Sequence, residues 1–160
     1  MEFSSKVRTC FYFEKGGHEA AKFYVNLIAD SHIDSVLEHG NPHDPMVVEF
    51  TLAGAPMMIL TAGPMYELTP ATSISVLTDD QNETDMLWSS LLADGGEESR
   101  CGWLVDRFGV SWQIVPKVLP RLLAHDDPAV AKRVMDAMMQ MTKIDISMIE
   151  AAAQAPSEDL

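Results

Sequence analysis

Two stretches of this chain repeat each other, and the repeat limits the possible folds more than any other feature. EAAKFYVNLIAD, from Glu19 to Asp30, lines up without gaps on ETDMLWSSLLAD, from Glu83 to Asp94. Glu, Leu, Ala and Asp coincide, and Phe23-Tyr24 falls on Leu87-Trp88. Later in each half, GAPMMIL from Gly54 lines up on GVSWQIV from Gly109. A single match between two amphipathic helices arises readily by chance. Two matches in the same order argue for one module written twice.

The first pair reads as helices, because Tyr24, Leu27 and Ile28, and then Leu87, Trp88, Leu91 and Leu92, recur at helical spacing. A strand precedes each one, Val7 to Phe13 and Thr72 to Thr78. Gly16-Gly17 and Asp79-Asp80 supply the turns and the helix-start chemistry. After the first helix come strand runs at Ile33 to Glu38, Met46 to Leu52 and Met57 to Thr61, with a hairpin at Ala53-Gly54-Ala55. The second half offers a weak strand near Glu98, a short one at Trp103 to Val105 and a strong one at Ser111 to Val115. The expected class is α+β, with β-α-β-β-β units at 6–63 and 70–119 making one domain over 1–119. C-terminal helices then occupy 120–154, before a frayed tail at 155–160. Asp127-Pro128 opens the first of them, with Val130, Val134, Met138 and Met141 as its apolar stripe. A second, shorter helix is expected from Asp145 to Ala153.

Eleven Lys and Arg against 24 Asp and Glu leave a net charge of −13. That balance opposes contact with phosphate backbones, so no nucleic-acid partner is expected. The N-terminal residues lack a secretory pattern and no apolar run is long enough to span a bilayer, so no membrane association and a cytoplasmic location are expected. Cys10 and Cys101 have neither CxxC nor His-paired spacing, which predicts two free, buried thiols.

The strand at Ser111 to Val115 carries one amide, Gln113, among apolar residues. A polar group on a buried strand must find partners or lose roughly 1–3 kcal/mol, so Gln113 serves either the structure or a ligand. Aromatic candidates for an accompanying pocket are Phe11, Phe13, Trp103, Phe108 and Trp112.

FYFEKGGHEAAKFY, CGWLVDRFGVSWQIVP and DPAVAKRVMDAMMQMTKIDISMIEAA resemble the PhnB-like proteins named for 3-demethylubiquinone-9 3-methyltransferase. These form a branch of the vicinal oxygen chelate superfamily, with glyoxalase, bleomycin-resistance and dioxygenase relatives. The resemblance implies that each module makes a curved half-barrel, that two halves enclose a small-molecule cavity, and that modules pair between the chains of a homodimer, with pairing within one chain as the alternative. Metal-using members place His and Glu ligands on the first and fourth strands of each module. Counting back from the helices and forward from the matched glycines puts those positions at Thr9, Met58, Ser73 and Gln113. Hydroxyls and a thioether suit a hard cation poorly, so no metal is expected. The histidines, His18, His32, His39, His43 and His125, lack metal-ligand spacing, and most of them read as solvent-exposed.

The family's name implies S-adenosylmethionine, yet Gly16-Gly17 lacks the G-x-G spacing of a nucleotide loop and no acid-ended parallel strand follows, so no cofactor is expected. Cys101 is the one candidate nucleophile, without an obvious activating partner. The sequence therefore points to a metal-independent small-molecule-binding protein of unassigned activity, with an enzyme on an aromatic or quinone-like substrate as the alternative. The expected ligand pocket comprises Gln113, Thr9, Ser73, Met58, Phe11, Trp103 and Cys101.

Overall fold

A computed structural model of the protein describes residues 5–38 and 43–156. The expectations for His39 and for the end of the tail lie outside the described residues. The chain divides into two compact units between Thr69 and Pro70.

The first unit runs β1 (Thr9–Phe13), α1 (Gly17–Leu27), β2 (His32–Leu37), β3 (Val47–Leu52) and β4 (Ala55–Thr61). Its sheet has the order β1-β4-β3-β2, with β1 parallel to β4 and the other pairs antiparallel. The second unit repeats this with β5 (Ser73–Thr78), α2 (Gln81–Leu92), β6 (Glu97–Glu98), β7 (Trp103–Val105) and β8 (Ser111–Pro116). Its order is β5-β8-β7-β6, with the same strand directions. Two β-α-β-β-β modules with open, curved sheets are thus present, and the α+β class holds.

Each helix covers one face of its own sheet. In the first unit Ala20, Ala21 and Tyr24 are buried, as are Phe11, Phe13, Val48, Phe50 and Ile59 of the strands. The small alanines let α1 lie close, and the Tyr24 ring sits 6.5 Å from that of Phe50. In the second unit Leu87, Trp88 and Leu91 of α2 are buried with Leu104, Trp112 and Ile114. Asp80 caps α2 by accepting from Glu83 N at 2.9 Å, and the Glu83 carboxylate accepts from Asp79 N at 2.6 Å. α1 begins at Gly16 without a side-chain cap of its own, and Asp44 accepts from Gly16 N instead. The repeated Asp30 and Asp94 both take the left-handed conformation just past their helices, which Asp tolerates better than most residues.

The C-terminal helices are α3 (Val118–Leu123), α4 (Pro128–Met138) and α5 (Ile146–Gln154). Leu119, Val134, Met141, Ile144 and Ile149 form their common core, with Val115, Val130 and Met138 packed against it. The stripe expected on α4 is therefore core, although Met141 lies beyond the helix end. Helix α3 was not foreseen. Its Pro120 stands in the first turn, where a missing N–H breaks no intrahelical bond. One expectation is corrected: Cys10 is exposed and Cys101 half-buried, so they are free thiols but not core residues. Cys10 lies on the side of β1 opposite α1, and among the described residues of its own unit no helix covers that side.

Candidate functional site

Side chains alternate between the two faces of a strand, so the buried residues fix which side meets the helix. On β8, Trp112 and Ile114 are fully buried on the α2 side. Gln113 therefore turns to the open face, with its register partner Ser75 and the flanking Ser73–Ser111 pair. Trp103, the partner of Gln113 on β7, shares that face. Gln113 Nε2 donates to Ser73 Oγ at 2.8 Å. Ser111 is 3 % exposed, and its Oγ has no hydrogen-bond partner among the described residues. Buried polar groups without partners are rare enough that each needs an explanation. The open face of the second sheet thus carries three serines and an amide beside one indole, and the row through Ser111 and Val105 ends on the carboxylate of Glu97 at the β6 edge.

Asp106, which the sequence reading did not single out, sets the position of this strand. Its buried carboxylate accepts from Phe108 N at 2.8 Å, Val110 N at 3.0 Å and Trp112 Nε1 at 2.8 Å. The turn before β8 and the ring of Trp112 are thereby locked together. The signal was available: an Asp three residues before Gly109 is a turn-forming pattern. Phe108 belongs to this turn and Trp112 to the core, so of the aromatic candidates in this unit only Trp103 faces the open side.

In the first unit the geometry departs from the count. Phe11 and Phe13 are buried on the α1 side, which sends Arg8, Cys10 and Tyr12 to the open face. Thr9 pairs with Met57, whereas Cys10 pairs with Met58. Thr9 and Phe11 therefore do not share a face with Met58. The reason is the loop between strand and helix, which spans 14–16 in the first module but only 79–80 in the second. Counting back from the repeated helices slips the register by one residue, and a slip of one changes the face. Arg8 is the structural counterpart of Ser73, and Cys10 that of Ser75.

Arg8 is the centre of a polar network that the sequence reading missed. Its Nη1 lies 2.8 Å from Asp34 Oδ2 and donates to the carbonyls of Phe50 at 3.0 Å and Met57 at 3.2 Å. Its Nε is 3.6 Å from Glu49 Oε1. Thr51 and Ser35 donate to the same two carboxylates, at 3.0 and 2.8 Å. A cavity of about 590 Å³ is lined by Ser5, Lys6, Arg8, Glu49 and Met58. Alternation against Phe11 and Phe13 could have placed Arg8 on this face. Its partners, brought from two other strands, could not have been read.

Neither thiol is set up for attack. Although Cys10 is exposed, partial desolvation of its thiol pushes it up from its ordinary value, which keeps it protonated at neutral pH. Cys101 occupies a bend with φ of 57°, and its Sγ contacts Met139 Sδ at 3.7 Å. His32 bonds to Asp34 on β2, and His125 Nδ1 accepts from Asp127 N in the loop before α4. Among the described residues, no three His, Cys, Asp or Glu side chains are grouped to hold a metal ion.

The family model described as 3-demethylubiquinone-9 3-methyltransferase matches residues 5–115. A PhnB protein from Bacillus cereus carrying the same description is 28 % identical, with a TM-score of 0.63 over 70 % of this chain and 99 % of that one. A protein of Pseudomonas aeruginosa is 20 % identical, with a TM-score of 0.58 over 71 % and 98 % of the two chains. The fosfomycin resistance protein FosX from Listeria monocytogenes is 15 % identical, with a TM-score of 0.56 over 78 % and 100 %. The last two show the fold alone. No curated protein matches the chain. With both modules covered by the family model and the β-α-β-β-β repeat present in each, the chain belongs to the 3-demethylubiquinone-9 3-methyltransferase family, the PhnB-like branch of the vicinal oxygen chelate superfamily.

Proposed function

We propose that this PhnB-like protein binds a small molecule without a metal, on the open face of its second sheet. The observation that carries the reading is Ser111, whose buried hydroxyl is unpartnered beside the Gln113–Ser73 bond. A ligand hydroxyl or carbonyl would complete the set, and Gln113 can donate or accept without a charge. Trp103 offers an apolar surface next to it, in keeping with ligand sites that are mostly apolar with few polar anchors.

The donor chemistry argues against the groups that the superfamily and the family name suggest. The open-face residues at the strand positions in question are Arg8, Cys10, Met58, Ser73, Ser75 and Gln113, a set that a hard cation does not favour. Glu49 is nearby, but it is held by the Arg8 guanidinium. A nucleotide cradle at Gly16-Gly17 fits no better. A Cβ at Gly17 would collide with the side chains of Ile59 and Thr61, so this glycine serves the contact between α1 and the sheet.

Variants of the two polar residues test the reading. Ser111→Ala should melt at or above the wild-type temperature, because it removes a hydroxyl that nothing satisfies. Gln113→Leu should lose about 1 kcal/mol or less, since one half-exposed hydrogen bond goes. Native mass spectrometry of the freshly purified protein should show a co-purified molecule that both variants retain poorly. A large loss of stability in both, with ligand retention unchanged, would make the row a structural bridge.

The protein is further proposed to be a homodimer. β1 and β2 are the edge strands of the first sheet and β5 and β6 those of the second, and an unpaired edge invites pairing with another chain. Light scattering at micromolar concentration should give twice the chain mass of 17.7 kDa. A monomer mass would remove this proposal while leaving the ligand site untouched. Among the described residues no helix is long and apolar enough to cross a membrane.

A further inference from the structure

The open face of the second sheet extends beyond Gln113. Along β5 it runs Ser73, Ser75, Leu77, and along β8 Ser111, Gln113, Val115. One end is therefore polar and uncharged, and the other is apolar. Val115 packs against the C-terminal core, so α3 walls off the apolar end. Leu77 remains 54 % exposed and lines a groove of about 460 Å³ with Lys117, Pro120, Arg121 and Ala124. Lys117 is paired with Asp79. The Arg121 side chain has no hydrogen bond or ion pair among the described residues, although the chain carries a net charge of −13. A guanidinium left unpaired at the rim of an apolar groove is a ready receptor for a carboxylate, which it can bind with two parallel hydrogen bonds. The rise from Gln113 to Lys117 is roughly 13 Å at strand spacing.

We propose that the ligand of this face is an elongated anionic amphiphile. Its hydroxyl or carbonyl end meets Ser111 and Gln113, its apolar body lies over Leu77, and its terminal carboxylate meets Arg121. This rests on the ligand site proposed above and adds the class of molecule that fits it. The three features occur in order along one surface, and Leu77 belongs both to the sheet face and to the groove. A neutral apolar ligand would leave Arg121 unused, and a compact polar one would leave Leu77 bare.

Isothermal titration with ω-hydroxydecanoate, decanoate and decane α,ω-diol tests the proposal on the full chain. The hydroxy acid should bind more tightly than either of the other two. Arg121→Gln should weaken the hydroxy acid and decanoate by about threefold to tenfold, the range for losing a partly exposed charged contact, and leave the diol unchanged. Added salt should act like the substitution on the wild type, because an exposed charge pair is screened. Gln113→Leu should weaken the hydroxy acid and the diol, and spare decanoate. Should Arg121→Gln leave both carboxylates unaffected while Gln113→Leu still weakens the hydroxyl-bearing probes, the anionic class is wrong and the site stands. Should Gln113→Leu change no probe, the site itself is wrong and the ligand class falls with it. Arg121 is a surface residue of a short helix, so its variant is expected to keep the wild-type melting temperature.

Discussion

Replacing Asp106 with alanine is expected to cost about 3–5 kcal/mol, the largest effect of any single polar substitution considered for this protein. Asp106 is 3 % exposed, and its carboxylate satisfies two backbone N–H groups and the Trp112 indole. Alanine would remove the acceptor from all three donors, two of them in buried hydrogen bonds. It would also free the turn that sets the register of β8, and with it the face on which Gln113 stands. Asp106→Asn keeps one acceptor oxygen and should recover part of the loss. Guanidinium titration followed by tryptophan fluorescence measures both, since Trp112 reports directly on the turn. A loss below about 1 kcal/mol for the alanine variant would show that the carboxylate does not hold this turn.

Gly102→Ala should be nearly as damaging, at about 2–4 kcal/mol, through backbone strain together with overpacking. Gly102 has φ of 81°, and a Cβ there would stand 2.8 Å from the carbonyl oxygen of Ile114 and 3.1 Å from Ile144 Cγ1. The neighbouring backbone cannot retreat easily. Ile114 N donates to Gly102 O at 2.8 Å, while Gly102 N and Cys101 N donate to Thr142 O at 2.7 Å and Met141 O at 2.8 Å. This glycine is where the segment between α4 and α5 docks onto the second module. The variant should melt lower, and limited proteolysis should open the C-terminal helices before the rest of the unit. If it melts with the wild type, the docking of that segment does not depend on a bare backbone at Gly102.

These two residues explain why the Cys-Gly-Trp and Gly-x-Ser-Trp-Gln strings are so distinctive. Cys101 and Gly102 supply paired left-handed backbone at a bend, and Gly109 ends the Asp106 turn with φ of 87°. Between those bends β7 and β8 are brought into antiparallel register, with Trp103 opposite Gln113 and Leu104 opposite Trp112. One pair lies in the core and the other on the open face.

The sequence by itself determined the repeat, the class of each long element and the face of Gln113. All of these follow from local periodicity: helical spacing in Glu83 to Asp94, and alternation about Trp112 and Ile114 in β8. The C-terminal stripe was legible for the same reason. What only the tertiary structure decided was every relation that depends on residues far apart in the chain. Thr9 was given a place in the pocket by a count across a loop whose length differs by one residue between modules, and the strand pairing moved that place to Arg8 and Cys10. The Arg8 network joins β1 to Asp34 on β2 and Glu49 on β3, and no local pattern announces it. The missing partner of Ser111 is equally invisible in the sequence, because a hydroxyl is orphaned only by what does and does not pack around it. Periodicity fixes which side of a strand a residue occupies, but pairing and burial decide what it meets there.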